Sequence, residues 1–515
     1  MNGGEVLGSG TYGCIFKPPL PCKGSEERPY DTVSKLMVKR NADEELKEIE
    51  GVLDRVKNIP KNDEYYIISG IKRCDVGIVT NDDLKNFDTK CYAMKRHKIT
   101  EEQMMNPYII NKLSLLQLPD GGQDITHYFG RGIKLFNPDL FVMVNTALVK
   151  LLEFGIAPLK DVGVIHQDIK GQNIVYSEKK DLARLIDWGL AVIFKIDNKE
   201  VPQGVRGWPI TFNQPFTNLI FNKKIQKICD SIITPYKGKD IYSLSNEFSS
   251  FVKYEIHKRI FSDSDKFLEI VGSYGHIELF IKIIENASQF ETDLKDEIKQ
   301  LAPVDYLISI ISQQLTDVFL IYSINSQNNT LGNFDEYHFF NEIYKTNCDV
   351  FGFLSTYVDI IMNNKMPLEL RRKTYEMILK PFYFDFKFSY TPYDISTIGK
   401  VCSNLSSEYE SKMDTNEVPI PDQYVPDNDD NRMDTSKSLT PMQTTSSTLT
   451  PMQTTSSTPR FVGGKTAKGK KTAKGKKTAK GKKTAKGKKT AKGKKTAKGK
   501  KTTKGKKTTK GKKLH

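Results

Sequence analysis

Residues 164–176 read Val-Ile-His-Gln-Asp-Ile-Lys-Gly-Gln-Asn-Ile-Val-Tyr, which sets His166, Asp168, Lys170 and Asn173 between two β-branched runs with strand character. Further on, Leu185-Ile186-Asp187-Trp188-Gly189 ends another apolar run in an acid, followed by an aromatic residue and a glycine. A carboxylate can accept a proton, an ammonium can face an anion, and amide oxygens can face a cation. Each residue also has an ordinary explanation. A loop aspartate is commonly a cap or a turn former, and Asn173 close to Gly171 can merely satisfy backbone. Polar groups of complementary chemistry held between buried runs nevertheless imply a common target.

Two elements near the N-terminus bear on what that target is. Leu7-Gly8-Ser9-Gly10-Thr11-Tyr12-Gly13-Cys14-Ile15 contains G-x-G-x-x-G, a pattern shared by two unrelated nucleotide-binding designs. In the dinucleotide design the last glycine opens a helix, but here Cys14-Ile15-Phe16 is strand-like and Pro18-Pro19 forbids helix continuation. The glycines therefore read as a hairpin between strands, whose backbone N–H groups can approach phosphate oxygens without a Cβ in the way. Thr32-Val33-Ser34-Lys35-Leu36-Met37-Val38 follows as an alternating strand carrying a lysine, and then comes an acidic helix with Leu46, Ile49 and Leu53 on one stripe. A strand lysine beside such a helix can pair with a glutamate, Glu45 or Glu48. Alone, Lys35 would be an ordinary surface lysine.

The order of parts is more specific than any one of them: glycine hairpin, strand lysine, acidic helix, H-x-D-x-K-x-x-N, then D-aromatic-G. Over residues 5 to about 190 this order and spacing resembles the protein kinase superfamily. Lys170, two residues after Asp168, is the serine/threonine pattern. The segments 115–125, Asn213-Gln214-Pro215-Phe216 and 345–357 are similar to serine/threonine kinases of large cytoplasmic DNA viruses. The resemblance implies an α+β, two-lobed protein kinase fold: a small antiparallel-sheet lobe over 1–118 and a mainly helical large lobe over 119–408. It implies ATP and Mg2+ as cofactors and protein hydroxyls as acceptors. Asp168 is then expected to orient the acceptor hydroxyl, Lys170 to face the γ-phosphate, and Asn173 and Asp187 to ligate magnesium. Residues 7–15 and Lys35 are expected to hold the nucleotide phosphates, with Glu48 nearer than Glu45 to the usual separation from Lys35. His166 is expected to bond backbone near the Asp187-Trp188-Gly189 turn and not to act as a base.

The chain departs from the family pattern in several places. Gln167 stands where an arginine would grip a phosphorylated activation loop, so activation by loop phosphorylation is not implied. Trp188 replaces the usual phenylalanine, and no Ala-Pro-Glu closes the segment that follows. Asp349 best fits the aspartate that anchors the large lobe, with Asp240 and Asp394 as rivals. If Asp349 is the anchor, a helical insertion occupies about 216–345.

The composition sets the remaining bounds. The 515 residues are 38% hydrophobic, enough for a substantial core. From Lys465 the sequence is KTAKGK six times, KTTKGK twice, and a final Lys-Leu-His, so residues 465–515 hold 25 lysines and no acid. Of the formal net charge of +16, the rest of the chain therefore carries about −9. Residues 409–464, acidic and proline-punctuated and then Ser/Thr-rich with LTPMQTTSST twice, are expected to form a disordered linker. The lysine-rich repeat is expected to engage nucleic acid or another polyanion through phosphate charge, without reading bases. Seven scattered cysteines, odd in number and without a C-x-x-C pair, suggest neither disulfides nor zinc. With no signal-peptide pattern and no transmembrane segment expected, the reading is a soluble protein of a reducing intracellular compartment; if the chain is viral, that means host cytoplasm or virion.

Overall fold

A computed structural model describes residues 4–413 apart from 26, 131, 208, 245–246 and 263–273. All of these lie in one compact unit, Met1–Ser436. The expected linker, beyond its first few residues, and the whole lysine-rich repeat lie outside the described residues.

The chain is α+β, with a small antiparallel sheet first and a mostly helical remainder. Strands β1 (Glu5–Ser9), β2 (Gly13–Lys17), β3 (Thr32–Val38), β4 (Lys72–Asp75) and β5 (Leu113–Pro119) form one sheet in the order β1-β2-β3-β5-β4. Alternation along β3 separates its two faces. Leu36 joins a cluster with Val6, Phe16, Phe87, Met94 and Met104, whereas Met37 packs with Ala42 and Leu116. The first cluster is completed by residues 76–112, a run of short helical turns folded back over the sheet. The opposite face is covered by helix α1 (Lys39–Val56), which starts directly after β3 and buries Ala42, Glu45, Ile49, Val52 and Val56. Those intervals of three and four residues put one stripe on the sheet.

The sheet is fastened to the layer formed by residues 76–112, and the segment after β2 to β4, by contacts that sequence spacing did not reveal. Cys14 is bonded to Cys91 and Cys22 to Cys74, with Cα atoms 5.5 and 5.6 Å apart. This corrects the expectation of no disulfides. The partners are 77 and 52 residues apart, so only the folding back of the chain brings them together. Disulfides persist in oxidising surroundings, which sits uneasily with the reducing compartment expected from cysteine spacing. The buried Asp83 adds a polar tie: it accepts from Gly4 N, from Thr80 N and Oγ1, and from both terminal nitrogens of Arg28.

After β5 the chain enters a short strand β6 (Gln123–Asp124), which pairs with β8 (Ile174–Ser177), itself paired with β9 (Leu182–Leu185). Between them, β7 (Val164–Ile165) pairs with β10 (Val192–Ile193). The helical remainder includes α2 (Pro138–Lys150), α3 (Lys223–Ile233), α4 (Tyr274–Ala287), α5 (Pro303–Ile321), α6 (Lys345–Ser355) and α7 (Ile395–Met413). Pro138–Val162 and Pro303–Ile321 are long and apolar enough to cross a membrane by length and composition, but 56% of each apolar window is buried inside the fold. They serve here as core helices.

The cross-links yield the first prediction. In denaturant without reductant three cysteines, Cys229, Cys348 and Cys402, should react with an alkylating agent, and the other four only after reduction. Reduction should lower the urea midpoint, each bond contributing about 2–4 kcal/mol. Seven reactive thiols in the unreduced protein would refute both bonds.

Candidate active site

The 164–176 segment forms a loop between β7 and β8, and its backbone is held by one buried carboxylate. Asp349, on α6, accepts from His166 N through Oδ2 at 2.8 Å and from Gln167 N through Oδ1 at 2.9 Å. Burial pushes its carboxyl above the ordinary range, against the pull of His166 and of these two N–H donors. The rivals lie elsewhere: Asp240 accepts from Tyr242 N and Asp394 from Ser396 N, each as a local turn. Gln167 has φ +63°, a left-handed conformation that costs a non-glycine residue energy and persists only where neighbours impose it. His166 places its ring against Ile186 O through Nε2 (3.1 Å), while its Nδ1 accepts from Asp168 N at 3.3 Å. The imidazole therefore links two backbone strands, as the sequence suggested.

Asp168 is the centre of the arrangement. Lys170 Nζ donates to both carboxylate oxygens, at 2.8 and 2.7 Å, and Asn173 Nδ2 donates to Oδ2 at 2.7 Å and to Asp168 O at 2.8 Å. Asn213 Nδ2 donates to the remaining side, Oδ1, at 2.9 Å. Asn213 comes from 45 residues downstream and was quoted in the sequence only for its likeness to a family segment, so its contact with Asp168 had no local signal.

Lys35 reaches the Asp187-Trp188-Gly189 turn from the sheet. Its Nζ donates to Glu45 Oε1 and Oε2 at 2.7 and 2.8 Å and lies 3.7 Å from Asp187 Oδ1. The partner is therefore Glu45 and not Glu48. Lys35 and Met37 share a face of β3; Ala42 packs on Met37, and the next turn of α1 delivers Glu45 to the lysine. Glu48 is exposed, on the side of α1 toward Gly189. Burial pulls the Lys35 ammonium down, but the Asp187 and Glu45 carboxylates outweigh it and its pKa is raised. Asp187 is lowered, chiefly by Lys35 against burial, with Lys170 and His166 adding to the pull. Asp187 also has φ +63°, and the adjacent Trp188 is buried edge-on to Tyr66 (5.4 Å) and 4.6 Å from the His166 ring.

The glycine segment is a hairpin, as read. Ser9 pairs with Cys14, Ile15 pairs with Lys35, and Gly10 N donates to Gly13 O at 2.9 Å. Its three glycines are not equivalent. A Cβ at Gly13 would meet Met37 and Leu36 O within 2.8 Å, so packing requires glycine there, whereas one at Gly8 would meet nothing within 4 Å and one at Gly10 would meet only Gly13 O, at 3.9 Å. Leu7, Thr11 and Tyr12 are exposed along the same turn, and Ser9 Oγ accepts from Ala93 N at 3.0 Å. Packing therefore does not account for Gly8 and Gly10, which leave room for a ligand close to the backbone.

Removing the anchor gives a direct test of this architecture. Asp349→Ala should leave two buried N–H groups without an acceptor, at about 1–3 kcal/mol each, and lower the urea midpoint accordingly. Asp349→Asn keeps one acceptor oxygen and should lose less. Equal stability of the alanine variant and the native chain would show that the loop is held by other contacts. Compared with models of known protein families and with curated proteins, the chain matches none.

Proposed function

We propose that the chain is an ATP-dependent serine/threonine protein kinase with a two-lobed kinase fold. Its small lobe would end near residue 118, and residues 216 to about 345 would be a helical insertion ahead of Asp349. The observation that carries this reading is the convergence on Asp168. One carboxylate receives Lys170, Asn173 and Asn213, in a cleft that also holds Lys35 within reach of Asp187. Phosphoryl transfer asks for this kind of site: the nucleophile in line and the developing charge neutralised, with little covalent help from the protein.

Asp168 orients the acceptor hydroxyl and takes its proton, and the three donors around it hold the carboxylate in one rotamer. Lys170 faces the transferred phosphoryl group. Lys35, steadied by Glu45, binds the α- and β-phosphates under the backbone of residues 7–15. Asn173 spends its amide nitrogen on Asp168, which leaves its Oδ1 for a cation, and Asp187 is ionised and half exposed. This pair of hard oxygen donors fits Mg2+, which when bound would neutralise phosphate charge. A second reading, a polyanion-binding protein whose kinase-like region is vestigial, draws on the 25 lysines of residues 465–515. Against it, Lys35, Asp168, Lys170, Asn173 and Asp187 are all present and converge on one cleft. We assign the repeat a tethering role toward nucleic acid or another polyanion.

Asp168→Asn should cut phosphorylation of a neutral serine peptide by at least about 100-fold, the low end of what general-base catalysis supplies. Its ATP affinity should stay close to native, whereas Asp187→Asn should weaken Mg-ATP binding as well. Near-normal turnover in Asp168→Asn, or mainly phosphotyrosine in the products, would reject the assignment.

The tail makes a separate prediction. The full chain should bind duplex DNA with log affinity falling against log salt at about −0.9 per phosphate contact. Deleting 465–515 should abolish that binding and leave turnover on the short peptide unchanged. A truncated chain with the same salt slope would place the charge elsewhere.

A further inference from the structure

The segment from Trp188 to Asn213 ends on the candidate catalytic carboxylate, so whatever fixes that segment also fixes Asp168. Asn213 Nδ2 reaches Asp168 Oδ1 (2.9 Å) and Ile169 O (3.2 Å). Next to it, Gln214 Nε2 donates to Gln167 O at 2.6 Å, and Asn218 Nδ2 donates to Gln214 Oε1 at 2.8 Å. The Gln167 side chain, turned so that its amide nitrogen faces the segment, lies 3.2 Å from both Leu190 O and Gly204 O. These ties are neutral, and Gln167 stands where the family pattern would have an arginine.

The charged tie is Arg206. Its Nη2 donates to Glu336, which stands at the start of the short helix Glu336–Phe339 within the helical stretch that precedes α6. The same carboxylate accepts from Gln226 Nε2 and from Lys223 Nζ, the latter at 2.6 Å, both on α3. Arg206 and Glu336 are each less than one fifth exposed, where an ion pair is screened less than at the surface. Burial would raise the Glu336 carboxyl, but its three donors hold it at about 2, so the group is anionic at neutral pH.

We propose that Glu336 is a built-in counter-charge for the segment. By gripping Arg206 it presents Asn213 to Asp168, so that phosphotransfer proceeds without a phosphate added to residues 190–213. This rests on the kinase reading. Glu336 is a positioning residue: it acts through Arg206 and Asn213 and touches no reacting atom. A merely structural Glu336 would instead affect stability and nucleotide affinity together with turnover.

The test uses full-length chains carrying Glu336→Gln, Arg206→Gln and both, assayed on a short neutral serine peptide, with nucleotide affinity and thermal midpoint measured alongside. Each single variant should lower kcat about tenfold with the KM for ATP within about twofold of native. The double variant should be no worse than Glu336→Gln alone, because that change already removes the Arg206 tie. Phosphatase-treated native protein, shown by mass spectrometry to carry no phosphate on residues 190–213, should keep full turnover. Native kcat in Glu336→Gln, multiplicative losses in the double variant, a parallel loss of nucleotide affinity, or inactivation by phosphatase would each overturn the proposal. A native chain that phosphorylates no peptide would fail earlier, on the kinase reading itself.

Discussion

The candidate site depends on one buried carboxylate, that of Asp349. Asp349 accepts two backbone N–H groups from the 166–167 turn, and with the turn fixed, Gln167 is held at positive φ. From that strained residue the rest of the loop is placed: the His166 ring lies on Ile186 O, and Asp168 faces Lys170 and Asn173. A buried charge is costly unless hydrogen-bonded, and here the bonds that offset the cost also set the geometry. Stability and positioning are thus the same interaction seen from two ends of one hydrogen bond.

An ion-pair network joins the sheet to the Asp187-Trp188-Gly189 turn. Lys35 is divided between Glu45 on the adjacent helix and Asp187 on that turn, so the sheet and the turn are linked by one ammonium. Mutual attraction keeps Lys35 charged despite its burial. An unpaired lysine in that position would lose its proton to the low dielectric and with it any grip on phosphate.

Short-range spacing made much of this legible. Lys35, Asp168, Lys170, Asn173 and Asp187 each lie in a local pattern, and a pattern of period two or of fixed offset survives in one dimension. Glu45 was open because the expected stripe is Leu46, Ile49 and Leu53, whereas α1 begins without a connecting loop and buries Glu45 and Val52 in place of Leu46 and Leu53, with Ile49 shared. Asn213 and the two disulfides were illegible for a different reason. Their partners are 45 to 77 residues away, and no periodicity reports a contact of that range. The layer of residues 76–112 escaped because its helical turns, four or five residues each, are too short to display a repeat.

That layer has a mechanical consequence. A lone five-stranded sheet twists and bends easily, but this one is laminated: helix α1 backs one face, and the 76–112 layer is bonded covalently across the other. A laminate resists flexure, so the glycine hairpin and Lys35 are carried as one plate. The short connection after β5 is seated as tightly: Gly121 and Gly122 approach Val175 and the Tyr176 carbonyl so closely that a Cβ at either would collide. The plate therefore meets the rest of the chain there through backbone alone, at two positions that admit no side chain.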